Sequence, residues 1–132
     1  MADKIVPTVL GGIEVEVVPE DIDDIEPEYK RSLARFLALG AKDRARLERR
    51  ILEYREQILR LCPDLKFEKI EVPENIWTAV EIKGVGVTKD SSGSVYVRVF
   101  GECDWDPEHG LQISYRNGSD LMRVGPEDGH LT

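Results

Sequence analysis

The spacing of apolar residues changes once along the chain, and that change fixes the fold class. Between residues 27 and 62 apolar side chains recur every three or four positions, and from residue 67 they recur every second one. Leu47, Ile51, Tyr54, Ile58 and Leu61 step by four, three, four and three, which is one face of a helix from about Asp43 to Leu61. Ahead of it, Pro27 suits a first helical turn, and Glu26 and Glu28 complement the positive end of the dipole. Tyr29, Leu33, Phe36 and Leu37 form that helix's stripe, with Gly40 expected to end it in a left-handed cap. Cys62-Pro63 ends the second helix, because proline disfavours helical backbone in the residue before it. The short connection predicts an antiparallel helical hairpin over 27–62.

Downstream, Glu81–Thr88 reads as a strand weakened by Gly84 and Gly86, and residues 89–93 as a turn. Ser94–Cys103 is the clearest strand: Val95, Val97, Val99 and Cys103 share one side, Tyr96, Arg98, Phe100 and Glu102 the other. Leu111, Ile113 and Tyr115 alternate with Gln112, Ser114 and Arg116, Asn117-Gly118 signals a tight turn, and Leu121–Val124 returns. Ile76–Val80 is a short helical turn or strand, with Trp77 as a core anchor. These pieces predict a four-strand, mainly antiparallel meander over 67–132. At the N-terminus Ile13, Val15 and Val17 face one way and Glu14 and Glu16 the other, so Gly11-Gly12 predicts a β-hairpin over 1–19. No repeat or linker divides the chain. The expectation is one α+β domain over 1–132, its helical hairpin covering one face of the sheet.

Charge narrows the partner. The net charge of −8 combines ten basic and four acidic residues over 30–60, a balance of +6, with −14 elsewhere. That acidic excess argues against wrapping a nucleic acid and for a basic protein partner. Glu14, Glu16, Asp21, Asp23 and Asp24 are the candidate partner surface. Arg44, Arg46, Arg49, Arg50 and Arg55 could be read as a nucleic-acid face. However, Arg44–Glu48, Arg49–Glu53 and Glu56–Arg60 are pairs of opposite charge four apart, the mark of a solvated helix surface. No apolar run approaches the roughly 20 residues of a membrane span. Met-Ala-Asp-Lys-Ile-Val-Pro has no hydrophobic signal core, so a cytoplasmic location is expected. Two cysteines make no disulfide framework. Both are expected as thiols, Cys62 as a small buried hydrophobe at a helix end.

Reactive side chains are densest at Cys103-Asp104-Trp105-Asp106-Pro107-Glu108-His109-Gly110-Leu111. A metal site there would use Cys103, Asp106, Glu108 and His109, with His130 completing the set. Structural zinc sites, however, present close pairs of Cys or His, and this run has one of each. A thiolate–imidazolium pair of Cys103 with His109 or His130, oriented by Asp106, conflicts with the valine-faced strand that turns Cys103 inward. Asp104, Asp106 and Glu108 as a carboxylate pair, and Lys83–Thr88 as a phosphate loop, lack the spacing their chemistry needs. No metal, cofactor or catalytic residue is assigned. The exposed remainder, Asp106, Glu108, His109 and His130, is a candidate ligand-binding group.

Residues 102–112, Glu-Cys-x-Trp-x-x-Glu-His-Gly-Leu-Gln, and 123–132, Arg-Val-Gly-x-x-Asp-Gly-His-Leu-Thr, resemble an uncharacterised bacterial family, a domain of unknown function. The likeness covers residues 75–132 well and the helical half loosely. It implies a small intracellular bacterial protein, similar in style to immunity and accessory proteins encoded beside toxins. It carries over no catalytic residue. Trp105, Glu108, His109, Asp128 and His130 are expected to form one structural cluster, the tail folding back on the loop. The expected function is a non-enzymatic interaction domain binding a basic partner. The alternative is a metal- or small-ligand-binding protein using the 103–109 loop.

Overall fold

The computed structural model describes residues 3–132, so the first two residues of the hairpin expected over 1–19 lie outside the described residues. The chain is α+β: six strands form one sheet in the order β1 to β6. They are β1 (Asp3–Ile5), β2 (Val15–Pro19), β3 (Val80–Lys89), β4 (Val95–Cys103), β5 (Leu111–Arg116) and β6 (Asp120–Gly125). Helices α1 (Pro27–Leu37) and α2 (Ala41–Leu61) lie between β2 and β3, followed by a 3-10 segment at Pro73–Ala79. Strands β3 to β6 form an antiparallel meander. The N-terminal pair belongs to the same sheet, because β2 runs parallel to β3 with Val17 opposite Val85. Such a parallel joint requires a long crossover, and both helices supply it.

One face of the sheet and the helices share the core. Val17, Val85, Val87, Val97, Val99, Leu111 and Ile113 meet Phe36, Leu47 and Ile51, all fully buried. Phe36 of α1 sits tilted on Tyr115 at 5.5 Å.

Several local expectations are corrected. Gly11 and Gly12 do adopt positive φ, but they close a 3-10 turn at Thr8–Leu10, so the connection between β1 and β2 is wide rather than a two-residue turn. Ile13 is exposed as a result. Gly40 is extended, with φ −105, and starts α2: its N–H donates to the Asp43 carboxylate at 2.9 Å. Leu61 and Cys62 are exposed, since the helix outruns the core at its C-terminal end. The three expected helix-surface pairs reduce to one among the described residues, Arg44–Glu48 at 3.2 Å. Trp77 is half-buried and donates its indole N–H to Glu48.

Candidate functional site

The chain turns at once after Cys103, the last residue of β4, and the side chains of the loop part company. Cys103 is 6 % exposed and points into the core; its thiol donates to the Asp106 carbonyl at 3.7 Å. Burial pushes that thiol up to about 11, so at neutral pH it stays protonated and unreactive. Trp105 is also buried, edge-on to Tyr54 of α2 at 5.6 Å. Burial, with lesser contributions from Cys103 and Asp106, raises the Tyr54 hydroxyl to about 12. Asp104 turns toward α2, where it accepts from Arg55 at 3.2 and 3.3 Å. Arg55 is almost wholly buried; it also donates to the Glu68 carbonyl at 3.0 Å and lies 5.9 Å from the Phe67 ring. Of the five arginines considered as a nucleic-acid face, Arg44 and Arg55 are therefore engaged internally.

Asp106 folds the loop on itself. Its carboxylate accepts from the backbone N–H of His109 at 3.2 Å and lies 3.0 Å from His109 Nδ1. The Asp106 carboxylate raises the imidazole's pKa, through the hydrogen bond and its charge. Gly110, at φ +70, packs against the Gly101 carbonyl where a side chain would collide. Glu108 is exposed beside the pair.

Residues 126–132 leave β6 and cross the second face of the sheet. The N–H of Glu127 donates to the His109 carbonyl at 3.2 Å, so tail and loop do meet, through backbone. Asp128 accepts from Arg123 at 2.8 and 2.9 Å and lies 3.1 Å from His130 Nδ1. That guanidinium holds the Asp128 carboxyl well below the usual range, helped by the His130 backbone N–H. Of the four candidate binding residues, Asp106 and His109 are thus joined, Glu108 stands beside them, and His130 belongs to a separate pair with Asp128. Trp105 is on the opposite side of the sheet, so the expected single cluster divides in two. Among the described residues no group of three or more His, Cys, Asp or Glu is placed to hold a metal ion.

A polar network on the second face was not visible in the sequence. Arg98 of β4 donates to two carboxylates, Glu20 at 2.8 Å and Glu127 at 3.1 Å, and lies over the Phe100 ring at 4.8 Å. Below the tail, Gln112 and Ser114 are 1 % and 0 % exposed and donate to its carbonyls at His130 and Leu131. The only available signal was Gly84-x-Gly86. Two positions apart on a strand, both glycines open the same face; Phe100 lies over Gly84, and the Glu20 carboxylate over Gly86.

The candidate partner residues scatter as well. Glu14 pairs with Lys4 at 3.7 Å, and Glu16 stands opposite Lys4 across the strands. Asp21 accepts from the Thr88 hydroxyl at 2.6 Å. Asp23 is exposed, while Asp24 joins Asp3, Ile25, Tyr29, Leu33 and Leu37 around a cleft of 440 Å³, with Lys30 at its rim. Burial, then Asp3 and Asp24, raises the Tyr29 hydroxyl's pKa.

A single mixed sheet, covered by helices on one face and strapped by a polar tail on the other, defines a small α+β domain whose buried polar groups tie segments together. Among the described residues no helix is long and apolar enough to cross a membrane. The chain belongs to the family described as Domain of unknown function (DUF6985), which matches residues 2–131 and so takes in the helical half as well as the C-terminal motifs. No curated protein and no solved structure matches it.

Proposed function

We propose that the chain is a small, non-enzymatic bacterial interaction domain, working inside the cell in the manner of an immunity or accessory protein, that docks a basic partner on its acidic edge. The bacterial and intracellular setting rests on the resemblance of its C-terminal motifs. The docking reading rests on one observation: carboxylates from two distant segments, Asp3 and Asp24, converge on an apolar cleft beside Ile25, which is 77 % exposed. An exposed apolar anchor inside a charged rim is the usual anatomy of a protein interface, and the rim's field speeds encounter with an opposite charge. Asp23, next to Asp24 in the chain, is exposed as well.

The test is affinity capture from the native cytosol at low and high salt, with wild type, Asp24→Lys, Ile25→Ser, and Glu102→Lys as a distant control. The expected result is a salt-sensitive partner lost with the first two variants and kept by the control. A partner set indifferent to salt and to both edge variants overturns the proposal.

A further inference from the structure

The second face of the sheet is polar where it is most deeply buried. Gln112 and Ser114 sit beneath a tail whose residues 127–130 are themselves exposed. Burying an amide and a hydroxyl is unfavourable unless each finds a partner. Both find backbone carbonyls of the tail, at His130 and Leu131, and Arg123 adds donors to the carbonyls of Pro126 at 3.2 Å and His130 at 2.8 Å. Contacts of this kind read a main chain, whatever its side chains. Two further contacts read charge: Arg98 holds Glu127 and Arg123 holds Asp128.

The tail has neither helix nor strand, and its hold on the sheet is wholly side chain to backbone or ion pair. Alongside it a cavity of 410 Å³ continues from Arg98 and Gln112 to Thr88 and Asp90, with Glu127, Gly129 and Leu131 as one wall; Glu20 and Asp21 also line it, so the cationic contacts for a ligand are those of Arg98 and Arg123 at the tail's end. The tail therefore borders a longer cleft, while Gly84 and Gly86 give the room in which the Phe100 ring and the Glu20 carboxylate lie flat on the sheet beside Arg98.

We propose that this face is a binding groove for an extended acidic peptide, and that residues 126–131 lie in it as a ligand in cis. A ligand of this class presents two consecutive carboxylates, the first to Arg98 and the second to Arg123, and carbonyls two and three residues beyond the second to Gln112 and Ser114. The groove is separate from the acidic edge, and its ligand carries the opposite charge from a partner there. The two proposals therefore fail or stand independently. Tethering gives the tail an effective concentration in the millimolar range. A free peptide therefore competes poorly until the tail's own carboxylates are removed.

The experiment uses the full chain and a fluorescent synthetic peptide, Pro-Glu-Asp-Gly-His-Leu-Thr. The variant Glu127→Gln/Asp128→Asn keeps the tail's shape and leaves every groove residue intact. Hydrogen exchange of the Glu127 amide, which donates to the His109 carbonyl, reports release of the tail, and fluorescence anisotropy reports peptide binding. The variant is expected to exchange the Glu127 amide faster and to bind the peptide at least about tenfold more tightly than wild type, because the tethered competitor is weakened. Adding Arg123→Met to that variant is expected to abolish binding, as is replacing the peptide's two carboxylates by amides. A Glu127 amide as protected as in wild type, a released tail without peptide binding, or equal binding of the amide peptide would each overturn the proposal. Circular dichroism confirms that the variants are folded.

Discussion

Replacing Asp104 by alanine leaves the Arg55 guanidinium charged inside the protein. The Arg55 side chain is 3 % exposed and Asp104 34 %. Breaking a fully buried pair costs about 3–5 kcal/mol, since the remaining charge is neither hydrated nor compensated. Two features reduce that here: the Glu68 carbonyl keeps its bond from Arg55, and water reaches the vacated carboxylate position. An expected loss of about 2–4 kcal/mol follows. For a domain of this size that lowers Tm by roughly 6–14 °C. The assay is urea unfolding followed by circular dichroism and by tryptophan fluorescence, since Trp105 adjoins the loop. The deciding comparison is Arg55→Met/Asp104→Ala, in which an apolar chain of similar length replaces the stranded charge. It should be more stable than Asp104→Ala alone. A single-variant loss under about 0.5 kcal/mol, or a double variant no more stable than the single, would refute the view that the charge of Arg55 is what Asp104 answers.

Thiol labelling of native protein should modify Cys62 quickly and Cys103 only on unfolding, because one is exposed and the other buried; rapid labelling of both would contradict the inward placement of Cys103. The Cys103 pKa is raised from 9.0 to about 11, so its protonated form is favoured by folding. Its share of stability is complete below pH 9 and falls as pH rises through 11, and Cys103→Ala should flatten that part of the pH–stability curve. Gly118 sits at φ +83 with the Ser32 carbonyl where a Cβ would go. Gly118→Ala should cost about 2 kcal/mol or more, read as a shift in the urea midpoint, and an unchanged midpoint would remove that turn's packing on α1. The His109 imidazole, titrated by NMR, should lose its proton at a higher pH than a free histidine and move down in Asp106→Asn; no change on substitution would mean that the pair does not form in solution.

The helices and the meander were legible because each rests on a local period. Leu47, Ile51 and Tyr54 mark one helix face over two turns, and Val95, Val97 and Val99 mark one strand face, with no distant information needed. The parallel joint of β2 to β3 has no such marker, because its partners are separated by both helices. Glycine was the least legible residue. Gly40 and Gly11-Gly12 do punctuate the chain, yet glycine permits so many conformations that it names a break without naming its geometry. The second-face network was hidden for a related reason. Arg98, Gln112, Ser114 and Arg123 occupy positions where an alternating strand ordinarily meets water, and only the docked tail shows that they are covered.

That contrast also explains why the 103–109 run, the densest in reactive groups, does not act as one site. β4 ends at Cys103, and the turn that follows hands each side chain to a different partner, so a Cys-Asp-Trp-Asp sequence disperses its chemistry where a helical i, i+4 spacing would gather it. Cys103 and Trp105 go to the core, Asp104 goes to Arg55, and Asp106 goes to its own loop. The convergence absent there is supplied on the second face by residues far apart in sequence: Glu20, Arg98, Gln112, Arg123, Glu127 and Asp128 come together because three strands, the residue that follows β2 and a tail lie close to one another. In an antiparallel sheet, polar residues at alternate positions of adjacent strands are better candidates for a shared site than polar residues adjacent in sequence. The tail that covers them supplies both their hydrogen bonds and the chemical outline of what else they can hold.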